Sequence, residues 1–321
     1  MSDLHSTWSK WQHDVAAGWN RFWFTPADAA TLALIRICTG LMLLYTHLVW
    51  SLRLEDFFGP HAWLSAEVVQ NVLHADASVP NLLLKIQSPA VLWTVHIAAL
   101  VVFALLTLGL FTRAVSVLAF LAAVQYAQRI SPGADFGLDQ INVLLAMYLM
   151  IGRSGDAWSL DRWLQARRAG GAVAQAKPAV STNIAIRLIQ LHMCIIYLFA
   201  GTGKFQGQAW WDGTAMWIAL GNYEYQSLDM TWLARWPRLI NVLTHVTIYW
   251  EVFYCALIWP RALRPIMLLL AIPLHLGIAI CLGMVTFGLI MLVANAAFIP
   301  APFTRMVVDT LLRRAGVART N

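Results

Sequence analysis

The chain alternates between long apolar runs and shorter polar stretches. The apolar runs are roughly 17–24 residues long, the length that a helix needs to cross the hydrocarbon core of a bilayer. Pro89 and Pro237 stand at the start of two of them, where the missing N–H of proline costs no helical hydrogen bond. The pattern predicts an all-α fold, a polytopic transmembrane helical bundle of about eight spans. The predicted spans are 29–52, 89–111, 113–130, 138–153, 182–203, 237–259, 262–283 and 284–300.

The polar ends divide the chain into three predicted parts. Residues 1–24 carry several tryptophans among charged and polar residues, a spacing typical of an amphipathic helix that lies in the membrane interface. Residues 25–300 contain all the predicted spans and form the transmembrane domain. Residues 301–321 are predicted to be a cytoplasmic tail.

The composition agrees with a membrane protein. Hydrophobic residues make up 60% of the chain and charged residues 12%, whereas a soluble domain has about 25% charged residues. The net charge of +6 comes from basic residues that flank the spans instead of forming one stripe. We therefore expect membrane lipid as a partner, and no nucleic acid.

No residue pattern predicts a metal site. The cysteines all lie within predicted spans, and no two of them form a Cys-x-x-Cys pair, so we expect neither a disulfide framework nor metal binding. Glu-x-x-His, Walker-type and Gly-x-Gly-x-x-Gly motifs are absent from the sequence. The four cysteines are Cys38, Cys194, Cys255 and Cys281.

The distribution of basic residues favours one orientation. With an even number of spans both termini lie on one side, and that side carries 14 of the 22 lysines and arginines, against six on the other. Because positive residues stay on the cytoplasmic side, both termini are predicted to be cytoplasmic. We expect the protein in the cell membrane, as a multi-pass protein, and in the inner membrane if the source is a bacterium.

The most unusual polar segment stands at the end of the fifth span. Gly201, Gly203 and Lys204 lie within four residues of one another, and Trp210 and Trp211 follow shortly after. Glycines let a helix end open its backbone, which a membrane tolerates only where the backbone faces protein or water. Hydrocarbon does not solvate a polar group, so such a group is a functional candidate. We predict Lys204 as a catalytic residue, and the two glycines and two tryptophans as residues that bind its ligand.

Three histidines lie at a similar depth in the predicted orientation. His96, His245 and His275 are each seven or eight residues from the outer end of a span, which is about 12 Å at the rise of an α-helix. Because histidine can relay protons, we include all three as candidate catalytic residues. The alternative for each is a packing role with a satisfied hydrogen bond. The aromatic-rich segment 204–236 is predicted to cover this region as a lid or to re-enter the membrane.

Four polar residues fall in the inner half of the bilayer in the same orientation. One carboxylate and two guanidinium groups at similar depth predict an ion-paired group, because an unpaired charge there would be costly. We interpret this group as structural. Its charged members are Arg36, Arg187 and Glu251, and Asn295 lies nearby.

The segment Ala-Gly-Thr-Gly-Lys-Phe at 200–205, followed by Trp-Trp-Asp-Gly-Thr-Ala at 210–215, resembles a known family. It is similar to the HTTM (horizontally transferred transmembrane) domain, the membrane domain of vitamin K-dependent gamma-carboxylases. The resemblance covers residues 22–300. Supporting matches are Phe-Thr-Pro at 24–26, Ile-Arg-Ile at 35–37, Ser-Gly at 154–155, Trp-Ser-Leu-Asp at 158–161, Trp-Glu-Val-Phe at 250–253, His275, Gly283, Met284 and Phe287.

The resemblance implies an enzyme, a lyase or oxidoreductase related to the carboxylase. In that family a membrane lysine within this segment is held to be the base that deprotonates vitamin K hydroquinone, and Lys204 is at the matching position. His275 is similar to a histidine of the later spans, and a reduced quinone is the implied cofactor. The carboxylase has a large lumenal domain where this chain has only residues 301–321, and Gly-Leu-Asp-Gln at 137–140 replaces its Asn-His pair. We therefore expect quinol chemistry rather than carboxylation of peptides.

The sequence leaves two functions open. In the first, a desolvated pocket keeps Lys204 neutral, and the protein is an enzyme that takes a proton from a quinol or another lipid-soluble acid at the outer leaflet. In the second, the protein is a non-enzymatic transporter, lipid-binding protein or assembly partner. No inverted repeat favours transport, and the residues by themselves identify neither the cofactor nor a protein partner.

Overall fold

Helices form most of the chain in the computed structural model, which describes residues 2–74, 81–130, 137–171 and 174–314. The described residues contain no extended strand, only one isolated antiparallel bridge between Ala27 and Ala179. The helices are α1 (Ser2–Phe24), α2 (Ala30–Trp50), α3 (Leu54–Phe58), α4 (Ala66–His74), α5 (Pro89–Leu108), α6 (Thr112–Ile130), α7 (Gly137–Ile151), α8 (Leu160–Arg168), α9 (Val180–Lys204), α10 (Gln208–Trp211), α11 (Ala215–Leu220), α12 (Pro237–Leu257), α13 (Arg264–Cys281), α14 (Val285–Asn295) and α15 (Ala301–Arg314).

Each predicted span coincides with one helix, and the all-α fold is confirmed. Four stretches are long and apolar enough to cross a membrane by length and composition, namely Ala30–Phe58, α5, α9 and α13. Helix α7 and the region from α14 to Phe298 are shorter apolar helices. The chain is therefore a helical protein with several candidate membrane spans, whereas the count of eight remains a prediction.

Buried apolar residues form two main clusters. One joins α2, α5 and α6, and the other joins α7, α9, α12, α13 and α14. The surface of α12 that faces away from this second cluster is apolar and exposed along its whole length. Its exposed residues recur every three or four positions, the spacing of one helix face, as expected for contact with lipid. They are Leu239, Val242, Val246, Tyr249, Phe253 and Leu257.

Both ends of the chain pack against the start of α2 and α9. The Asn183 side chain donates a hydrogen bond of 2.7 Å to the Phe22 carbonyl at the end of α1. Arg305 of α15 forms an ion pair with Asp28 at 2.8 Å. The described parts of both ends therefore lie at the same end of the bundle, as an even number of spans requires. We call this end the terminal face.

The side of the membrane on which the terminal face lies remains a prediction. We expect a reporter fused after Asn321 to report a cytoplasmic location, because the basic residues concentrate on that face. A reporter inserted near Ser227, whose backbone N–H bonds to the Cys281 carbonyl at the end of α13, should report an exterior location. If both reporters give the same side, the terminal face and the Cys281 end of α13 do not lie on opposite sides of the membrane, and the predicted topology is wrong.

The predicted ion-paired group in the inner half of the bilayer is wrong. Arg36 is fully buried, but it donates hydrogen bonds to the carbonyls of Ser154 at 2.9 Å and Trp158 at 2.6 Å. Glu251 lies instead beside Lys204. Backbone carbonyls accept from both terminal nitrogens of the guanidinium, and the packing of α9 on α12 gives the carboxylate another partner.

Candidate active site

Lys204, the last residue of α9, forms an ion pair with Glu251 of α12. The Lys204 Nζ and Glu251 Oε2 atoms are 2.7 Å apart, and the two side chains are 24% and 9% exposed. Oε2 accepts no well-aligned hydrogen bond from the described residues, so the contact is ionic. Desolvating two charges is costly. The pair is therefore the strongest candidate for function in this part of the fold.

Gly201 allows α9 and α12 to approach closely at this point. A Cβ atom at Gly201 would lie 2.8 Å from Cγ2 of Val252 and 3.1 Å from Cβ of Glu251. Lys204 follows three residues later, on the same helix face. The glycine therefore sets the separation at which the lysine meets the carboxylate, which makes it a positioning residue in the packing of α9 on α12.

Gly203 faces open space beside the ion pair. A Cβ atom built there would meet no atom within 4 Å, so packing does not explain this glycine. Phe199 and Thr202, on the neighbouring surface of α9, are also exposed. This open side gives a ligand a route to Lys204 that does not require α9 and α12 to separate.

Trp210 lies beside the lysine, and Trp211 supports the turn between them. The Lys204 Nζ atom is 5.3 Å from the centre of the Trp210 ring, which is within range of a cation–π interaction. Trp211 stacks on Phe205 at 5.0 Å and donates a hydrogen bond of 2.7 Å to the Phe205 carbonyl. The structure thus brings Trp210 to the ion pair, whereas Trp211 lies one contact further away.

His275 belongs to a buried hydrogen-bond network below the ion pair. Its Nε2 atom is 2.6 Å from the Tyr197 hydroxyl, and the Asn295 amide donates to the same hydroxyl at 2.7 Å. Asn295 in turn accepts a hydrogen bond from Tyr254. Tyr197 lies seven residues before Lys204, which is about 10 Å along the same face of α9.

One ring nitrogen of His275 has no partner in this network. The Tyr197 oxygen accepts from Asn295, and the direction of its contact with Nε2 of His275 depends on the tautomer of the imidazole. Nδ1 is buried and has no hydrogen-bond partner in the described part of the chain. This nitrogen is an unsatisfied polar group within the bundle.

The other two candidate histidines lie elsewhere. His245 bonds to the Asn241 carbonyl of its own helix at 2.9 Å and packs against Gly213. His96 of α5 lies beside the apolar cluster that joins α2, α5 and α6, where its ring nitrogens contact the Tyr126 hydroxyl at 2.9 Å and the Ser51 hydroxyl at 2.9 Å. Neither histidine shares a partner with Lys204 or Glu251 in these contacts. His275 alone among the three joins a network that includes α9.

An apolar cavity of about 610 Å³ lies between α2 and α14. Tyr45, Thr286 and Leu289 are among its lining residues, and none of the candidate site residues is among them. Such a mostly apolar lining can hold an aliphatic chain. The candidate site residues at the ion pair therefore lie outside this cavity.

Four residues of the site were not predicted correctly from the sequence. Glu251 was assigned to another group, and Tyr197, Trp250 and Tyr254 were not singled out. The spacing of Tyr197, Gly201 and Lys204, which is i, i+4 and i+7, places them on one helix face and could have indicated a shared interface. Their partners on other helices could not be found in this way.

The comparisons with known proteins identify a family. A model of the HTTM domain matches residues 140–302. No curated protein and no solved structure matches the chain. The matched region includes Lys204, Glu251 and His275. Because it covers just over half of the chain, the protein belongs to the HTTM domain family.

Proposed function

We propose that the protein is a membrane enzyme in which Lys204 removes a proton from a lipid-soluble acid, with a quinol as the substrate class. The observation that carries the proposal is the Lys204–Glu251 ion pair, 2.7 Å long, at the open end of an apolar helix. The resemblance to the membrane domain of vitamin K-dependent gamma-carboxylases supports it, because Lys204 matches the lysine held to be the base there. Residues 25–300 would form the catalytic domain, located in the cell membrane.

Glu251 provides a way to make the lysine a base. A charged ammonium cannot accept a proton, but it can pass one to the adjacent carboxylate and leave an amine beside a carboxylic acid. The neutral pair needs less solvation than the ionic pair, so a poorly hydrated site favours this exchange. The amine then takes the O–H proton of the substrate, and the resulting ammonium stabilises the substrate anion.

The surroundings of Lys204 suit an aromatic substrate with an apolar chain. Trp210 provides a ring face next to the ammonium group, and the open space at Gly203 leaves room for a second ring. The exposed apolar surface of α9 at Phe199 can contact the chain. Trp210 and Gly203 are the proposed binding surface for the quinol head, and Phe199 is the proposed contact for its chain.

The Tyr197–His275–Asn295 network has a positioning role in this proposal. It joins α9, α13 and α14 below the ion pair and packs Trp250 against Tyr197, with ring centres 4.8 Å apart. Trp250 directly precedes Glu251. No contact joins His275 to Lys204 or Glu251 among the described residues, so the proton relay remains a prediction.

Binding of a quinol to the purified protein in lipid nanodiscs tests the proposal. We expect wild-type protein to bind a short-chain quinol, and Trp210→Ala to bind it several-fold more weakly, because a cation–π or stacking contact contributes about 1 kcal/mol. Trp232→Ala, which changes an exposed tryptophan of the segment 204–236, is the matched control. Absence of binding to wild type, or equal losses in both variants, would contradict a quinol site at Lys204.

A further inference from the structure

Three arginines lie close together at the terminal face without a carboxylate partner. Arg187 lies over the Phe22 ring, Phe22 packs on Trp259 with ring centres 5.7 Å apart, and Arg264 donates to the Trp259 carbonyl. Arg261 lies in the turn between α12 and α13, three residues before Arg264. None of the ion pairs among the described residues includes any of the three. Like charges that are partly desolvated and unpaired destabilise a fold unless an anion binds between them.

Arg187 is held in place by neutral groups in the part of the chain that the structure describes. Its Nε atom donates to the Phe22 carbonyl at 3.3 Å, and Nη1 donates to the Gln190 side chain at 2.8 Å. The guanidinium carbon lies 4.5 Å from the centre of the Phe22 ring. These contacts fix the orientation of the group and leave its positive charge uncompensated.

Arg264 lies where two helices meet. Its Nε and Nη2 atoms donate to the carbonyls of Ile258 at 3.2 Å and Trp259 at 3.0 Å, just after the end of α12. It is also the first residue of α13, an 18-residue helix whose N-terminus carries partial positive charge. An arginine at a helix N-terminus is unfavourable by itself, and a bound anion would reverse the sign of this interaction.

Helix α1 places the cluster at the level of lipid headgroups. It contacts the bundle through its C-terminal end, where Phe22 packs on Trp259 with ring centres 5.7 Å apart. Most of residues 7–21 are exposed, and four exposed apolar side chains follow one face of the helix. Such a helix gains stability by lying in a membrane interface. The four side chains are Trp8, Trp11, Val15 and Trp19.

We propose that Arg187, Arg261 and Arg264 bind the phosphate group of an anionic phospholipid, with α1 lying in the interface beside it. Charge complementarity selects this partner, because basic pockets between membrane helices bind anionic headgroups. Trp259 and Phe22 form an aromatic wall at the cluster, suited to the boundary between headgroups and chains. The site does not depend on the chemistry proposed at Lys204.

Lipid retention by the full chain in nanodiscs tests the site. We expect wild-type protein released from mixed phosphatidylcholine and phosphatidylglycerol nanodiscs to retain phosphatidylglycerol, as measured by native mass spectrometry. Binding should weaken about fivefold for each arginine changed to glutamine, which corresponds to about 1 kcal/mol per charge near the surface. Arg238→Gln is the matched control, because Arg238 is exposed in the first turn of α12 and follows a proline.

Further arms separate the lipid from other anions and partners. Arg261→Gln changes an exposed side chain and keeps the test valid if Arg187→Gln does not fold. Retention that falls equally in Arg238→Gln, or does not fall in Arg261→Gln and Arg264→Gln, would overturn the proposal. A melting temperature raised by inorganic phosphate as much as by phosphatidylglycerol would indicate a free-anion site instead. Dimers that disappear on Trp11→Ser without loss of lipid would assign α1 to a second copy of the chain.

Discussion

Lys204→Arg is expected to fold like the wild type and to lose the proposed activity. Arginine keeps the positive charge that faces the Glu251 carboxylate, so the ion pair between α9 and α12 is preserved. A guanidinium stays charged and cannot accept a proton from the substrate. Removing a general base lowers the rate by about 10²–10⁴-fold. Quinol-dependent oxygen uptake by the protein in nanodiscs measures the loss, because the quinol anion that the proton transfer produces is oxidised by dissolved O₂ far faster than the neutral quinol.

The control for this result is Lys85→Arg, which changes an exposed lysine at another position. It should keep full activity and the same melting temperature. If Lys204→Arg retained activity, the lysine would act through its charge alone. The base would then be another group, and Lys204 would only hold α9 on α12. A wild type without quinol-dependent oxygen uptake would favour the second function, a protein that is not an enzyme.

Breaking the ion pair from one side is expected to destabilise the protein strongly. Lys204→Met leaves Glu251 buried without a partner, and Glu251→Gln leaves the ammonium without its anion. Loss of one partner of a fully buried pair costs about 3–5 kcal/mol. Because Lys204 is 24% exposed, we expect roughly 2 kcal/mol for each single variant, below that range. Thermal unfolding in detergent measures the change.

The double variant Lys204→Met/Glu251→Leu tests whether the two residues stabilise the protein as a pair or independently. With both charges gone no buried charge is left unpaired, so its unfolding temperature should return close to the wild-type value. Additive losses in the double variant would mean that the two residues do not interact in the folded protein. Single variants that melt like the wild type would mean that both groups are hydrated.

Loss of stability and loss of activity are separable in these variants. Lys204→Arg tests proton acceptance in a protein that keeps the pair, whereas the double variant tests the pair in a protein without a base. If Lys204 only connects helices, Lys204→Arg keeps activity and the double variant regains stability. If Lys204 is the proposed base, the double variant also regains stability, but both variants are inactive.

The sequence by itself determined the fold class and the positions of the helices. A run of apolar residues long enough to cross a bilayer must satisfy its backbone groups within the segment, so the runs alone predict helices. Pro89 and Pro237 begin α5 and α12 in the structure as predicted. Lys204 could also be identified as a candidate residue, because a lysine next to glycines at the end of an apolar run is costly wherever the helix packs.

Only the tertiary structure decided which polar groups meet. Glu251 pairs with Lys204 because Gly201 lets α12 approach α9 at Val252, and that register depends on contacts from both helices. Predicted depth placed Arg187 near Glu251, but Arg187 contacts Phe22 of α1 instead. His275 and Asn295 meet at Tyr197 for the same reason. Depth along one helix is encoded in its own sequence, whereas the partner across an interface is set by how two helices pack.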